Sequence, residues 1–222
     1  MNKKLLVITD SLGLPRPVPE LLLDEDCWSH KLSRLDGFDV YHYMRGGYST
    51  KKLSKELTGY LSGYKPDVIL LQIGIVDCAP RALGSLELKL TSKIPVISKW
   101  IHFLVKKYRA EIIKRRKITY VPPSKFEKNL TEFKQHFADA HIFAVPIAPA
   151  NKSYIAHSPG IEKNIVDYND ILQRLFTIVN PYENIDVERI FMVDNHHLNK
   201  YGHLVLFDCV SDFLNKLDQS KT

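Results

Sequence analysis

The 222-residue chain has three cysteines, Cys27, Cys78 and Cys209. An odd number without paired spacing excludes a disulfide framework and a zinc-ribbon pattern. Long hydrophobic runs are also lacking. Nothing approaches the roughly 18 apolar residues of a membrane span, and the first apolar stretch, Leu5 to Ile8, is too short for the core of a secretion signal. These absences predict a reduced, cytoplasmic protein. No internal repeat or low-complexity segment is present, so solenoids and disordered linkers are excluded as well. What remains is 45% hydrophobic and 25% charged, an ordinary balance for one domain spanning residues 1–222.

The net charge of +6 is unevenly placed. Residues 93–128 hold eleven basic side chains against Glu111 and Glu127, a local +9, so the rest of the chain sums to −3. The basicity belongs to one region, a basic helical insertion at about 80–128. Within it Ile97, Ile101, Leu104, Tyr108 and Ile112 fall on one helical face with Trp100 beside them, while Lys99, Lys106, Lys107 and Lys114 take other faces. That pattern describes a helix packed on a core with a solvated exterior. A surface for an anionic substrate or for an anionic membrane fits the same charge. No nucleic-acid module accompanies it, so nucleic acid is not the expected partner.

Apolar runs alternate with helical patterns along the chain. Five candidate strands lie at Leu5–Ile8, 38–44, 66–74, 141–149 and 185–193, with helical spacing at about 50–63, 97–117, 123–138, 162–180 and 200–217. The strands are near-continuously apolar rather than alternating, which predicts a sheet covered on both faces. Strand–helix alternation then predicts an α/β fold, a three-layer α/β/α sandwich around a mostly parallel sheet of about five strands. In such sheets ligands sit beyond the carboxyl ends of the strands. Ser11, Gly46-Gly47, Gly74 to Asp77 and Asp194 to His197 all follow candidate strands, and would converge on one edge.

Three of these segments carry chemistry. Thr9-Asp10-Ser11-Leu12 ends the first strand, and by composition alone it is a turn. Asp194 and His197 stand three apart before the last helix, where a carboxylate can hold one imidazole nitrogen and leave the other to take a hydroxyl proton. A helix cap at Asp194 and a metal site from Asp194, His196, His197 and His203 are the competing readings. Gly46-Gly47 precedes a helix, where backbone N–H groups can face an anion; a simple turn with Ser49 or Thr50 as cap fits equally.

Taken in order, the segments resemble the SGNH hydrolases, the GDSL esterase family. Thr9-Asp10-Ser11-Leu12 is similar to its Gly-Asp-Ser-Leu block, Gly47 to its oxyanion glycine, and Gly74-Ile75-Val76-Asp77 to its Gly-x-Asn-Asp block. Asp194-Asn195-His196-His197, followed by Leu198-Asn199 and Gly202, is similar to its Asp-x-x-His block. The resemblance spans residues 9–203 and implies a flavodoxin-like fold. It also implies a catalytic triad of Ser11, His197 and Asp194, an oxyanion and substrate-binding edge from Ser11, Gly47 and Gly74, and no metal or organic cofactor. The activity implied is ester hydrolysis through an acyl-serine, with O-acetyl esters of saccharides as the expected substrate. An O-acyltransferase using the same triad and a catalytically weakened binding module are the alternatives. Two positions depart from the pattern: Thr9 replaces a glycine, and Val76 replaces the asparagine that donates to the oxyanion. Gln72, Arg81 and Arg45 lie near strand ends and are the candidates to supply the missing donor.

Overall fold

The computed structural model describes residues 2–219 apart from 85–86, 88–89 and 91–94. Five parallel strands form the central sheet: β1 (Lys3–Thr9), β2 (Phe38–Met44), β3 (Val68–Gln72), and, further along, β6 (His141–Ala144) and β7 (Thr177–Ile178). Their spatial order is β2-β1-β3-β6-β7, with β1 hydrogen-bonded to neighbours on both sides. Leu5 to Ile8 and Val68 to Leu71 are all buried, on both faces of the sheet. Eight consecutive-face apolar side chains of this kind need a layer above and a layer below. One layer contains α2 (Thr50–Glu56), α5 (Pro123–His136) and α7 (Ile161–Leu175), which pack on one another. The other contains α1 (Trp28–Lys31) and α8 (Lys200–Gln219).

The helical faces follow their spacing. Ile161, Ile165, Tyr168 and Leu172 recur at three to four residues along α7 and are buried. Leu206, Val210 and Leu214 do the same on α8, where Phe213 meets Phe143 of β6 edge-on at 4.7 Å. Phe126 of α5 lies against Tyr168 with ring centroids 4.8 Å apart. Truncating a buried aromatic of this kind costs about 3–5 kcal/mol.

The segment from 80 to 121 leaves the sheet and returns. A short antiparallel pair, β4 (Pro80–Arg81) with β5 (Ile118–Thr119), closes its base, and α4 (Pro95–Arg116) runs between them with a kink at Tyr108 (φ −114°, ψ 22°). The Tyr168 hydroxyl donates to the Val121 carbonyl, and the Val121 N–H donates to the Asp77 carbonyl at 3.2 Å. The excursion is thereby fastened to the core on its return. Lys93 and the side chains of Ile97, Lys99, Trp100, Ile101, Leu104 and Lys106 lie outside the described residues. Among the described residues, no helix is long and apolar enough to cross a membrane.

The fifth strand is not where the apolar pattern of 185–193 places it. That stretch holds a short turn at Val187–Arg189, and its backbone groups are satisfied by the following loop: Met192 N–H donates to His197 O at 2.8 Å, and Asn199 N–H donates to Ile190 O at 3.0 Å. The sheet's fifth strand is β7, inside the range read as helix 162–180. The helix stops at Leu175, Phe176 is extended, and the β-branched Thr177 and Ile178 pair with Phe143 and Ala144. Similarly, the pattern at 50–63 divides at Gly59 into α2 and a separate short turn at Tyr60–Gly63.

Candidate active site

Ser11 is delivered by β1. At the strand end the Asp10 N–H still donates to Gln72 O of β3 at 3.1 Å, and the buried Asp10 carboxylate accepts from Leu12 N–H at 2.9 Å. That bond caps a tight turn, Ser11–Gly13, which leaves Ser11 half-buried at the carboxyl edge of the sheet. The turn folds back so closely that a Cβ on Gly13 would lie 2.2 Å from Thr9 Oγ1. The Thr9 side chain thus occupies space that only a glycine at position 13 leaves open.

The partner loop comes from the other end of the chain. Asp194 Oδ1 accepts the backbone N–H groups of His196 and His197 at 3.1 and 3.0 Å, while Oδ2 lies 2.6 Å from His197 Nδ1. His197 Nε2 lies 3.2 Å from Ser11 Oγ. Asp194 therefore holds its own loop as well as the ring, instead of capping α8. The tautomer consistent with this chain of contacts carries its proton on Nδ1 and accepts at Nε2. Burial raises the Asp194 pKa, but the His197 backbone and ring and the His196 N–H outweigh it, so the carboxyl sits below its ordinary value. Burial lowers the His197 pKa, the Asp194 hydrogen bond opposes this, and Arg16 adds to the lowering, leaving a neutral imidazole at neutral pH.

The remaining block residues have structural tasks. Asn199 accepts from Gly202 N–H at 2.9 Å and donates to Arg189 O and Phe191 O. A Cβ on Gly202 would lie 2.4 Å from Ile190 O. His203 is buried, and its Nδ1 accepts the Trp28 N–H at 3.1 Å, so it fastens α8 to α1 away from the proposed metal set. Asp194, His196 and His197 do present three ligand atoms within 4.8 Å of one another, a grouping in which a cation would compete with the Asp194–His197 bond.

A cleft of about 230 Å³ opens at Ser11, with Val76, Arg81, Arg109, Tyr154, Ser158 and His196 among its walls. Val76 also packs on the core, so the start of α3 (Ile75–Cys78) lends an apolar side chain to the cleft that Ser11 lines. Gly47 and Gly74 are not among the described residues lining the cleft. Gly47 has φ +61° with its carbonyl accepting from Lys52 Nζ, and Gly74 has φ +128° with Ile147 Cδ1 2.7 Å from where a Cβ would stand. Of the three candidate donors, Arg45 is engaged with Glu56 at 3.0 Å, and Gln72 is buried with both amide atoms unpartnered. Arg81 alone of the three lines the cleft.

No family model matches the chain, and no curated protein matches its sequence. Solved structures do. The lipase/acylhydrolase from Enterococcus faecalis superposes with a TM-score of 0.66 at 13% identity, covering 96% of this chain and 95% of that one. A lipolytic protein of the G-D-S-L family from Desulfitobacterium hafniense gives 0.57 at 12% identity over 95% and 99%. The acetylxylan esterase Axe2 from Geobacillus stearothermophilus gives 0.60 at 15% identity over 94% and 92%.

The chain has an SGNH hydrolase-like fold.

Within this SGNH-like fold, several cleft residues carry no motif. Asn151 caps α6 (Lys152–His157) by accepting Tyr154 N–H at 2.8 Å, and its amide donates to Asn195 Oδ1 at 3.0 Å. Tyr154 then stacks on His196 (5.9 Å, 20°), which lies against His197 with ring centroids 3.8 Å apart. Burial, with a smaller contribution from His197, brings the His196 pKa down to about 4. This support comes from an element 44 residues away from Asn195, and an Asn ahead of a short helix is the only sequence signal it has.

Proposed function

We propose that this protein is a serine ester hydrolase acting through an acyl-serine intermediate on O-acyl, in particular O-acetyl, esters of saccharides. One observation carries the reading: Asp194, His197 and Ser11 form a continuous chain of contacts, 2.6 Å and 3.2 Å, at the carboxyl edge of a sheet whose solved relatives in fold are named as esterases and acylhydrolases. In this mechanism His197 Nε2 takes the proton from Ser11 Oγ as the oxygen attacks the ester carbonyl. Asp194 steadies the imidazolium, which then protonates the departing alcohol. Water repeats the sequence in the second half and releases the acid. The backbone N–H of Ser11 is the proposed oxyanion donor, and that of Gly47 is a second one only if its loop closes on the cleft it does not line here, with no side-chain amide at Val76 to assist.

A fluorophosphonate probe with mass mapping tests this. Stoichiometric labelling at Ser11, absent in Ser11→Ala and slow in His197→Ala, is the expected result. Labelling at another residue, or none in the folded protein, would overturn it. Adding sugar acceptors to the acyl-enzyme separates hydrolysis from transfer.

A further inference from the structure

We propose that the Ser11 cleft takes esters of anionic saccharides, and that Arg81 and Arg109 are the residues that read the negative charge. This rests on the esterase reading above. Both arginines line the same cleft as Ser11 and His196, and a third, Arg16, reaches the Ser11 carbonyl with Nη2 at 3.5 Å. Elsewhere in the chain four arginines sit on glutamates, Arg45 on Glu56, Arg115 on Glu111, Arg116 on Glu87 and Arg174 on Glu127, while Arg34 and Arg189 form no ion pair among the described residues. Among the described residues no ion pair is formed by Arg16, Arg81 or Arg109.

Arg81 has a further deficit. Its Nε is buried without a hydrogen-bond partner, while its guanidinium lies 5.3 Å from the Tyr120 ring centroid. An orphaned guanidinium N–H at a cleft wall is a costly arrangement that an anionic acceptor relieves. The fork geometry of arginine suits a planar carboxylate. Nearby acids do not compete: Asp194 is committed to His197, and Asp77 to Thr50.

The cationic lining continues past the reaction centre. Arg81 is also a wall of a neighbouring cavity of about 560 Å³, which Lys51, Lys125, Arg116 and Asn129 share. The carboxylate of that cavity, Glu87, is already held by both terminal nitrogens of Arg116 at 2.7 and 2.8 Å. A saccharide bearing repeated negative charges would meet Arg81 at the cleft and then Lys51 and Lys125 in this space, Arg116 being paired with Glu87. A flat anionic bilayer would meet the exposed Arg109 but not the buried Nε of Arg81.

The test compares the mono-O-acetate of methyl glucuronide with that of neutral methyl glucoside, with the acetylated glucoside 6-phosphate distinguishing phosphate from carboxylate. The readout is the ratio of kcat/KM for the charged over the neutral ester. We expect a wild-type ratio of about ten or more, falling toward one in Arg81→Gln/Arg109→Gln and partly retained in Arg81→Lys. Raised salt should lower the ratio. A misfolded cleft would lower Tm and depress the neutral ester as well, so both are measured for each variant and the ratio is read in variants that keep them. A wild-type ratio near one, or a ratio unchanged in the double variant, overturns the inference. Calorimetric titration of Ser11→Ala with the same esters keeps the two ideas separate. Preference for the charged ester without turnover by the wild type would sink the esterase reading alone. Turnover without preference would sink this one alone.

Discussion

Asp77 accepts three hydrogen bonds from Thr50, a residue 27 positions earlier: the backbone N–H at 3.0 and 3.2 Å to its two oxygens and the hydroxyl at 2.6 Å. This clamp joins the start of α2 to α3, and α3 carries Ile75 and Val76 of the cleft wall. Asn129 of α5 donates to the same Thr50 hydroxyl at 3.1 Å.

The clamp has a pH signature. Burial pushes the Asp77 carboxyl up to about 7 against the lowering effect of Thr50, and burial likewise pushes Asp10 up to about 7. A carboxyl whose folded pKa is raised keeps a proton that the unfolded chain releases from about pH 4, so its contribution to stability declines as pH rises toward 7. Half-buried His196 and buried His203, both lowered to about 4, act in the opposite sense over about pH 4 to 6.5. The clean measurement is therefore a difference. The Tm of Asp77→Asn relative to wild type should improve between pH 5 and pH 8, since an amide carries no charge to bury. A Tm difference independent of pH would show that Asp77 does not titrate in this window.

The adjacent histidines should behave differently. Ser11→Ala and His197→Ala are each expected to lower acetyl-ester hydrolysis by at least about a thousand-fold, with the double variant little worse than either. His196→Ala should act mainly on KM, because its ring lines the cleft and stacks on Tyr154 without reaching Ser11 Oγ. Equal damage at the two positions in folded protein would refute the triad. The acid limb of kcat/KM should fall below pH 6.5, where burial and Arg16 hold His197 against the pull of Asp194. Replacing Arg16 with glutamine should move that limb upward.

Val76 offers a gain-of-function test. It lines the cleft within the block whose resemblance implies an asparagine at this position, so Val76→Asn is expected to speed single-turnover acylation. Recovering one oxyanion donor corresponds to about a hundred- to thousand-fold in rate, reduced here because Val76 also packs on the core. Slower or unchanged acylation in a variant of normal Tm would show that no donor is missing.

The sequence by itself determined those features whose cause is local. Leu5 to Ile8 is apolar without alternation, so it had to be a strand covered on both faces, and it is β1. The Asp194–His197 contact lies within one four-residue loop, so spacing put carboxylate and ring within reach, and a helix cap at Asp194 fitted the same spacing. Only the tertiary structure decided the rest. β7 is two residues long, and it is a strand because Phe143 and Ala144 offer it a ladder, which no periodicity in Thr177-Ile178 records. Ser11 and His197 are 186 residues apart and meet through the order of the sheet. The cleft wall draws Arg81 from β4, Arg109 from α4 and Tyr154 from α6, and no spacing relates them. A pattern in sequence reports which face of an element is buried; which elements share an edge is settled by how those faces pack, and the binding surface is made there.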